Sequence, residues 1–198
     1  MTFVRRAAYA LVLTAGLSVF GAAHADPKAD ILAAHAHLVK AGKFRMQSTT
    51  VADGQTMKSS ATILWPDRFH VVSANGEFII LPGTSYMKQG GNWMPLPMNM
   101  GAMIQAMSPD AMKQGYDNMT NIRELPAEDL AGVATRVYEY DTSATIMGIR
   151  ADSHVTVWIA TDDGRLVKQK STGKAMGKSS VSESLYEFDP AIDVKAPM

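Results

Sequence analysis

Fourteen methionines and no cysteine leave thioethers, not thiols, as the soft sulfur of this chain. Six of them crowd into residues 94–112, MPLPMNMGAMIQAMSPDAM. Met100, Met103, Ile104 and Met107 recur at i, i+3, i+4, i+7 and predict one apolar helical face. Ser108-Pro109 interrupts that helix and starts a second short one carrying Ala111, Met112 and Tyr116, so the spacing predicts a jointed helical lid near 96–116. Unbranched, polarizable side chains adapt to apolar partners of varying outline, which suits a cover over an acyl chain or lipid. The same pattern also fits the underside of an ordinary covering helix. Soft-metal binding is the third reading, since Met98-x-Met100 and Met100-x-x-Met103 bring thioethers together. The first pair does not share a helical face, and no Cys or His stands nearby.

No other constellation carries chemistry. His35 and His37 are two apart on a predicted helix and diverge by about 200°, so they read as surface or partly packed histidines, not joint ligands. His70 and His154 lie in or at strands, with no spacing that names a partner. Ser48, Ser59, Ser60 and Ser73 sit in or beside strands, outside any G-x-S-x-G elbow or S-x-x-K context. Asp162-Asp163 before Gly164 reads as a turn. With no phosphate loop or dinucleotide fingerprint either, the chain calls for no catalytic residue, metal or cofactor. The residues assigned to a cavity and its lid are Phe44, Met46, Met57, Ile63, Trp65, Trp93 and Trp158, with Met98, Met100, Met103, Ile104, Met107 and Met112.

Those side chains need a frame. Asp26 as cap, Pro27 in the first turn and Gly42 as stop predict a helix over Pro27 to Ala41, with Ile31, Ala34, Leu38 and Ala41 on one stripe. From Lys43 the period becomes two: strands are expected through Thr49, at 57–65, 68–73, 77–81 and 84–88, then at 133–141, 155–160, 166–171 and 179–188. Asp53-Gly54 marks a turn, and Asn75-Gly76 predicts a type I′ hairpin. Val155, Val157 and Ile159 share one face while Trp158 points the other way. The fold class is therefore mostly antiparallel β with α: a half-open curved β-barrel covered by an N-terminal helix and a central helical lid. A closed barrel satisfies the period equally.

The address is written at the start. Arg5 and Arg6, an apolar run from Ala7 to Phe20 and Ala23-His24-Ala25 predict a secretory signal peptide over 1–25, with a single domain over 26–198. The run is short for a bilayer core that needs roughly 20 residues. Acids and bases balance at 19 each, and losing Arg5 and Arg6 leaves a slight negative excess, which gives no reason to expect nucleic acid or an anionic membrane as partner.

In the opening helix, K43-F-R-M-Q-S-T-T, M57-K-S-S-A-T-I-L-W-P-D-R-F69, N75-G-E-F-I-I-L-P82 and V155-T-V-W-I-A-T-D-D-G-R-L-V-K168, the chain resembles the LolA/LolB-like periplasmic lipoprotein-carrier superfamily. The resemblance implies a half-open barrel with a helical lid over an apolar cavity, a soluble periplasmic protein after cleavage, and a role as lipid-binding chaperone in protein transport and outer-membrane biogenesis. Its ligand would be lipoprotein acyl chains or lipid, and its partners membrane-bound donor and acceptor proteins. By position, Arg45 is the residue that would latch the lid. No cysteine is present for lipid attachment, which separates the chain from an anchored receptor. The rival reading is a noncatalytic envelope sensor or assembly factor that uses the curved sheet as a protein-binding surface.

Overall fold

The structure, a computed structural model, describes residues 26–97, 100, 113, 115–146, 149–175 and 177–197. The signal-peptide expectation, and those for Met98, Met103, Ile104, Met107 and Met112, fall outside the described residues.

Helix α1 spans Pro27–Ala41, as its caps require. The Asp26 side chain accepts from the Lys28 amide at 3.0 Å, and Gly42, at φ 69°, donates its N–H to the Leu38 carbonyl. Ile31, Ala34, His35 and Leu38 form its buried stripe. Eleven strands follow: β1 Lys43–Ala52, β2 Gln55–Leu64, β3 Arg68–Ser73, β4 Gly76–Leu81, β5 Thr84–Gln89, β6 Asn92–Pro95, β7 Thr120–Leu130, β8 Val133–Ile146, β9 Ile149–Ala160, β10 Leu166–Ala175 and β11 Lys178–Phe188. All pair antiparallel in the order β6-β5-β4-β3-β2-β1-β11-β10-β9-β8-β7.

Among the described residues the two edge strands, β6 and β7, do not pair, so the sheet is not closed. It is strongly curved nonetheless. Ile80 of β4, Tyr140 of β8 and Ile31 of α1 meet in one hydrophobic core, with Ile122 of β7 packed against it. A flat sheet of this width could not bring β4 and β7 to a common centre, given about 4.8 Å between neighbouring strands. The helix lies inside the curve, held by Asp30, whose Oδ2 accepts from Arg136 and, at 2.6 Å, from the Tyr138 hydroxyl. Among the described residues, no helix is long and apolar enough to cross a membrane.

Several local features depart from expectation, among them β6, which continues the meander one strand beyond the expected 84–88. The hairpin after β3 turns on Ala74-Asn75, with Ser73 opposite Gly76; Gly76 has φ 130° and Asn75 stays out of the positive region, so the turn is not type I′. Strands β8 and β9 extend to Ile146 and back from Ile149, well beyond the expected 141 and 155. Strand β7 was not expected: it carries Pro126 and several charges and breaks its register twice against β8. These features suit an edge strand, where Pro costs no ladder bond and bulges discourage further pairing.

Candidate functional site: the concave face of the sheet

Alternation along each strand sorts the side chains into an inner face, toward α1, and an outer one. The inner rows nearest the helix are apolar. Phe44 and Ile63 face each other across β1 and β2, with Phe69 and Ile80 next in line and Tyr138, Val157 and Leu166 from the far strands. Val157 and Leu166 are fully buried and Tyr138 nearly so.

Farther along the same strands the inner side chains become small and hydroxylated. Ser48 and Ser184 lie opposite each other with their oxygens 2.7 Å apart, and Thr50 and Ser182 repeat this at 2.8 Å. Ser171 stands beside Ser182, and Gly173 lies between Ser153 and Ser180. A Cβ added at Gly173 would come to 3.3 Å from Ser153 Oγ and 3.8 Å from Ser180 Oγ, so these hydroxyls converge over a residue without a side chain. Short side chains leave space: a hollow of about 270 Å³ is lined by Ala52, Ala151, Ser153, Ser171, Gly173 and Ser180 together with Asp53, Lys174, Lys178 and Ser179. Residues 170–174 alternate exposed and half-buried, the half-buried ones facing inward, as expected where the curve shelters one side.

At the junction of the two zones stand Tyr140 and Tyr186, one inner position before Thr142 and one beyond Ser184 respectively, with Tyr116 near both. Burial pushes all three phenols above the usual tyrosine range. The His35 ring lies 4.9 Å from that of Tyr116. His35 is 8% exposed, and its Nε2 is buried without a hydrogen-bond partner. Burial lowers its pKa from 6.5 to about 4, so the imidazole is neutral across the physiological range. The burial of this histidine is deeper than the surface or partly packed position that the sequence suggests. Its position in the i, i+3, i+4, i+7 series with Ile31, Ala34 and Leu38 was the available signal.

The outer face collects charge. Lys168 sits 4.8 Å over the Trp158 ring and 3.0 Å from Glu183, while Trp158 donates its ring N–H to Glu128 at 2.9 Å. Both histidines whose partners could not be read from spacing meet acids here: His70 pairs with Glu77 at 2.9 Å and His154 with Asp141 at 2.8 Å. The Asp141 carboxyl lies below its usual range because it accepts from Asn121 and His154. A broader, open depression of about 820 Å³ wraps around the rim at this end, lined by Asp141, Asp152, His154 and Lys174 of the outer face and by Thr142, Ser153 and Gly173 of the inner one, with Arg150 beside them. Its charges are largely matched, as in the Arg150–Asp152 pair at 3.0 Å, and it is a solvated surface. Among the described residues no group of three or more His, Asp or Glu could hold a metal ion.

The sequence-assigned residues separate accordingly. Phe44, Met46, Met57 and Ile63 share the inner face, with Trp65 packed against the core and 6.1 Å from Phe69. Trp93 and Trp158, expected to border the cavity, belong to the outer face: Trp93 stands opposite Lys88 and 6.3 Å from His70. Arg45 is also outward, bonded to Glu187 at 3.3 Å and Asp189 at 3.1 Å. Among the described residues it fastens the segment after β11. Met100 packs against the core, and its amide reaches Ser85 Oγ at 3.4 Å. On the opposite flank, Thr142 donates to the Gly115 carbonyl at 2.6 Å. The connection that holds the methionine cluster thus joins the two free edges of the sheet.

Solved structures share this arrangement. LprF from Mycobacterium bovis superposes with a TM-score of 0.59 at 12% identity, covering 86% of this chain and 96% of LprF. Lipoprotein LppX from Mycobacterium tuberculosis gives 0.57 at 12% identity, over 85% of this chain and 98% of LppX. The fold is the one LprF and LppX adopt. The Pseudomonas aeruginosa MucA/MucB complex is more distant, with a TM-score of 0.46 at 12% identity over 82% of this chain and 56% of the other, and it carries no argument here. No protein-family model and no curated protein matches the chain.

Proposed function

We propose that this protein is a noncatalytic, exported binding protein or carrier that shelters an apolar ligand, lipoprotein acyl chains or lipid, on the concave side of its sheet under the methionine-rich connection. The observation that supports this most is the inner face itself. Its curved, open sheet passes from a packed apolar zone into a zone of short side chains with free volume. Burying one acyl methylene is worth roughly 0.8 kcal/mol, so half a dozen would supply about 5 kcal/mol before ordering costs. Because the sheet ends in two unpaired edges, the wall can widen without breaking strand pairs. The fold shared with LprF and LppX, the latter a lipoprotein, is compatible with this role.

Native mass spectrometry of protein purified without detergent tests the reading. A bound mass that organic extraction removes, and that added acyl ligand restores, is expected. Reproducible recovery of the bare chain alone, before and after addition, rejects it.

A second reading is favoured by one observation. Val51, Val72, Val181 and Leu185 are exposed on the outer face of neighbouring strands, where a protein partner could cover them. Crosslinks from these positions to an envelope protein, with no acyl ligand bound, would favour the sensor or assembly role.

A further inference from the structure

The two zones of the inner face have different chemistry, and the difference bears on the kind of ligand. An apolar cargo alone would be matched by aliphatic side chains throughout, yet the far zone is built from Ser, Thr and Gly. Charge reaches it only at the rim, where Asp53, Lys174 and Lys178 help line the hollow. The nearest inward cation at the rim, Lys178, is neutralised by Asp53 at 2.7 Å, and Arg136, at the helix end, is already held by Asp30. Between these limits a ligand meets hydroxyls that both donate and accept. The second observation is independent of that surface: His35 Nε2 is a buried polar atom with no partner among the described residues, at the boundary where the apolar zone stops. A buried polar group left unmet costs free energy unless something satisfies it.

Resting on the function proposed above, we infer that the ligand is an amphiphile with an uncharged, oxygen-rich head: its tail lies along the partly buried Met46 and Val71 at the margin of the packed apolar zone, the ester or hydroxyl where tail meets head bonds to His35 Nε2, and the head lies along the Ser182, Ser171 and Gly173 rows. A free carboxylate or an ammonium head is disfavoured, because entering this zone would strip its hydration with no opposite charge to replace it. His35 acts as a specificity residue: it contributes nothing to the empty protein and reports the polar junction of the ligand.

Calorimetric titration with three twelve-carbon probes tests this: monolauroylglycerol, laurate and dodecyltrimethylammonium, each below its micellar concentration. Monolauroylglycerol is expected to bind about tenfold or more tightly than either ion, the equivalent of one or two net hydrogen bonds. His35→Leu is expected to raise the melting temperature of the empty protein while reducing monolauroylglycerol affinity several-fold and leaving laurate unchanged. A purely structural histidine would not split the two readouts in this way. His35→Gln, which keeps a polar tip, is expected to retain part of the preference, and Ser182→Val to erode it from the other end. Equal affinity for all three probes overturns the head-group inference and leaves the apolar-ligand reading standing. An unchanged preference in both His35→Leu and Ser182→Val overturns the assignment of the contacts. Failure of every probe to bind overturns the function itself, and this inference with it.

Discussion

The near and far halves of the concave face are made from the same strands yet do opposite things. Near α1 the inner residues are large and locked: Ile31, Val157 and Leu166 have no exposed surface, and the helix closes over them. Toward the hairpin ends the inner residues are Ser48, Thr50, Ser171, Ser182 and Gly173, half-buried and met by no helix among the described elements. The ladders of β1 and β11 run unbroken through both halves and that of β9 and β10 shifts register only between Leu166 and Lys168, so backbone pairing holds the sheet while side-chain volume decides whether it is core or container. One end of the sheet carries the stability, and the other is free to be occupied.

The sharpest way to break this contrast is substitution in the locked half. Leu166→Ala should cost about 2–5 kcal/mol in chemical denaturation, because the helix and neighbouring strands cannot fully collapse into the void. A cost below 1 kcal/mol would show that the near half is not the core.

Acidification comes next. His35 has a folded pKa of about 4 against 6.5 when unfolded, so between these values the unfolded chain takes up a proton that the folded chain refuses. The stability linked to His35 is therefore full above pH 6.5, falls as pH drops through this window and levels off below about 4, a loss of about 3 kcal/mol. Denaturation of the parent and of His35→Leu at pH 7 and pH 4.5 isolates the effect, and parallel losses in the two proteins would contradict it.

Asp30→Ala should cost about 1–3 kcal/mol, since it leaves the Arg136 guanidinium and Tyr138 hydroxyl without their common acceptor. The helix should also exchange its amide hydrogens faster. Smallest of all, Ser182→Ala should change stability by less than about 1 kcal/mol, because the Thr50 hydroxyl it abandons is only half-buried and can turn to water. A large loss there would make the far half structural and remove the contrast.

How much of this the chain announced follows the same division. Where one face is large and apolar, period two is plain, and Phe44, Ile63, Val155, Val157 and Ile159 fell on the inner face as their spacing implies. The helix was legible from Asp26, Pro27 and Gly42, because caps are local chemistry. Where the inner face is serine and glycine, the two faces of a strand differ little in hydropathy, so the extensions of β8 and β9 past Asp141 and before Val155 gave no signal. Strand β7 was hidden by Pro126 and its charges, which only an edge position tolerates. Trp93 and Trp158 are assigned to the cavity as large aromatics at strand ends that could meet a methionine-rich cover, yet an aromatic side chain can also spread under lysines on an outer face, as both do. For His35 the sequence left surface and partly packed positions open, and only its helical place beside Ile31, Ala34 and Leu38 marks it as buried.

The central claim is that the concave side, not the convex one, receives the ligand. Isotope-filtered nuclear Overhauser spectra, with methyl-labelled Ile, Val, Leu and Met and unlabelled monolauroylglycerol, address it most directly. The account predicts contacts from the tail to Ile63, Val71 and Met46 and none to Val51, Val72 or Val181. Contacts confined to Val51, Val72 and Val181 would contradict it and make the outer face the binding surface.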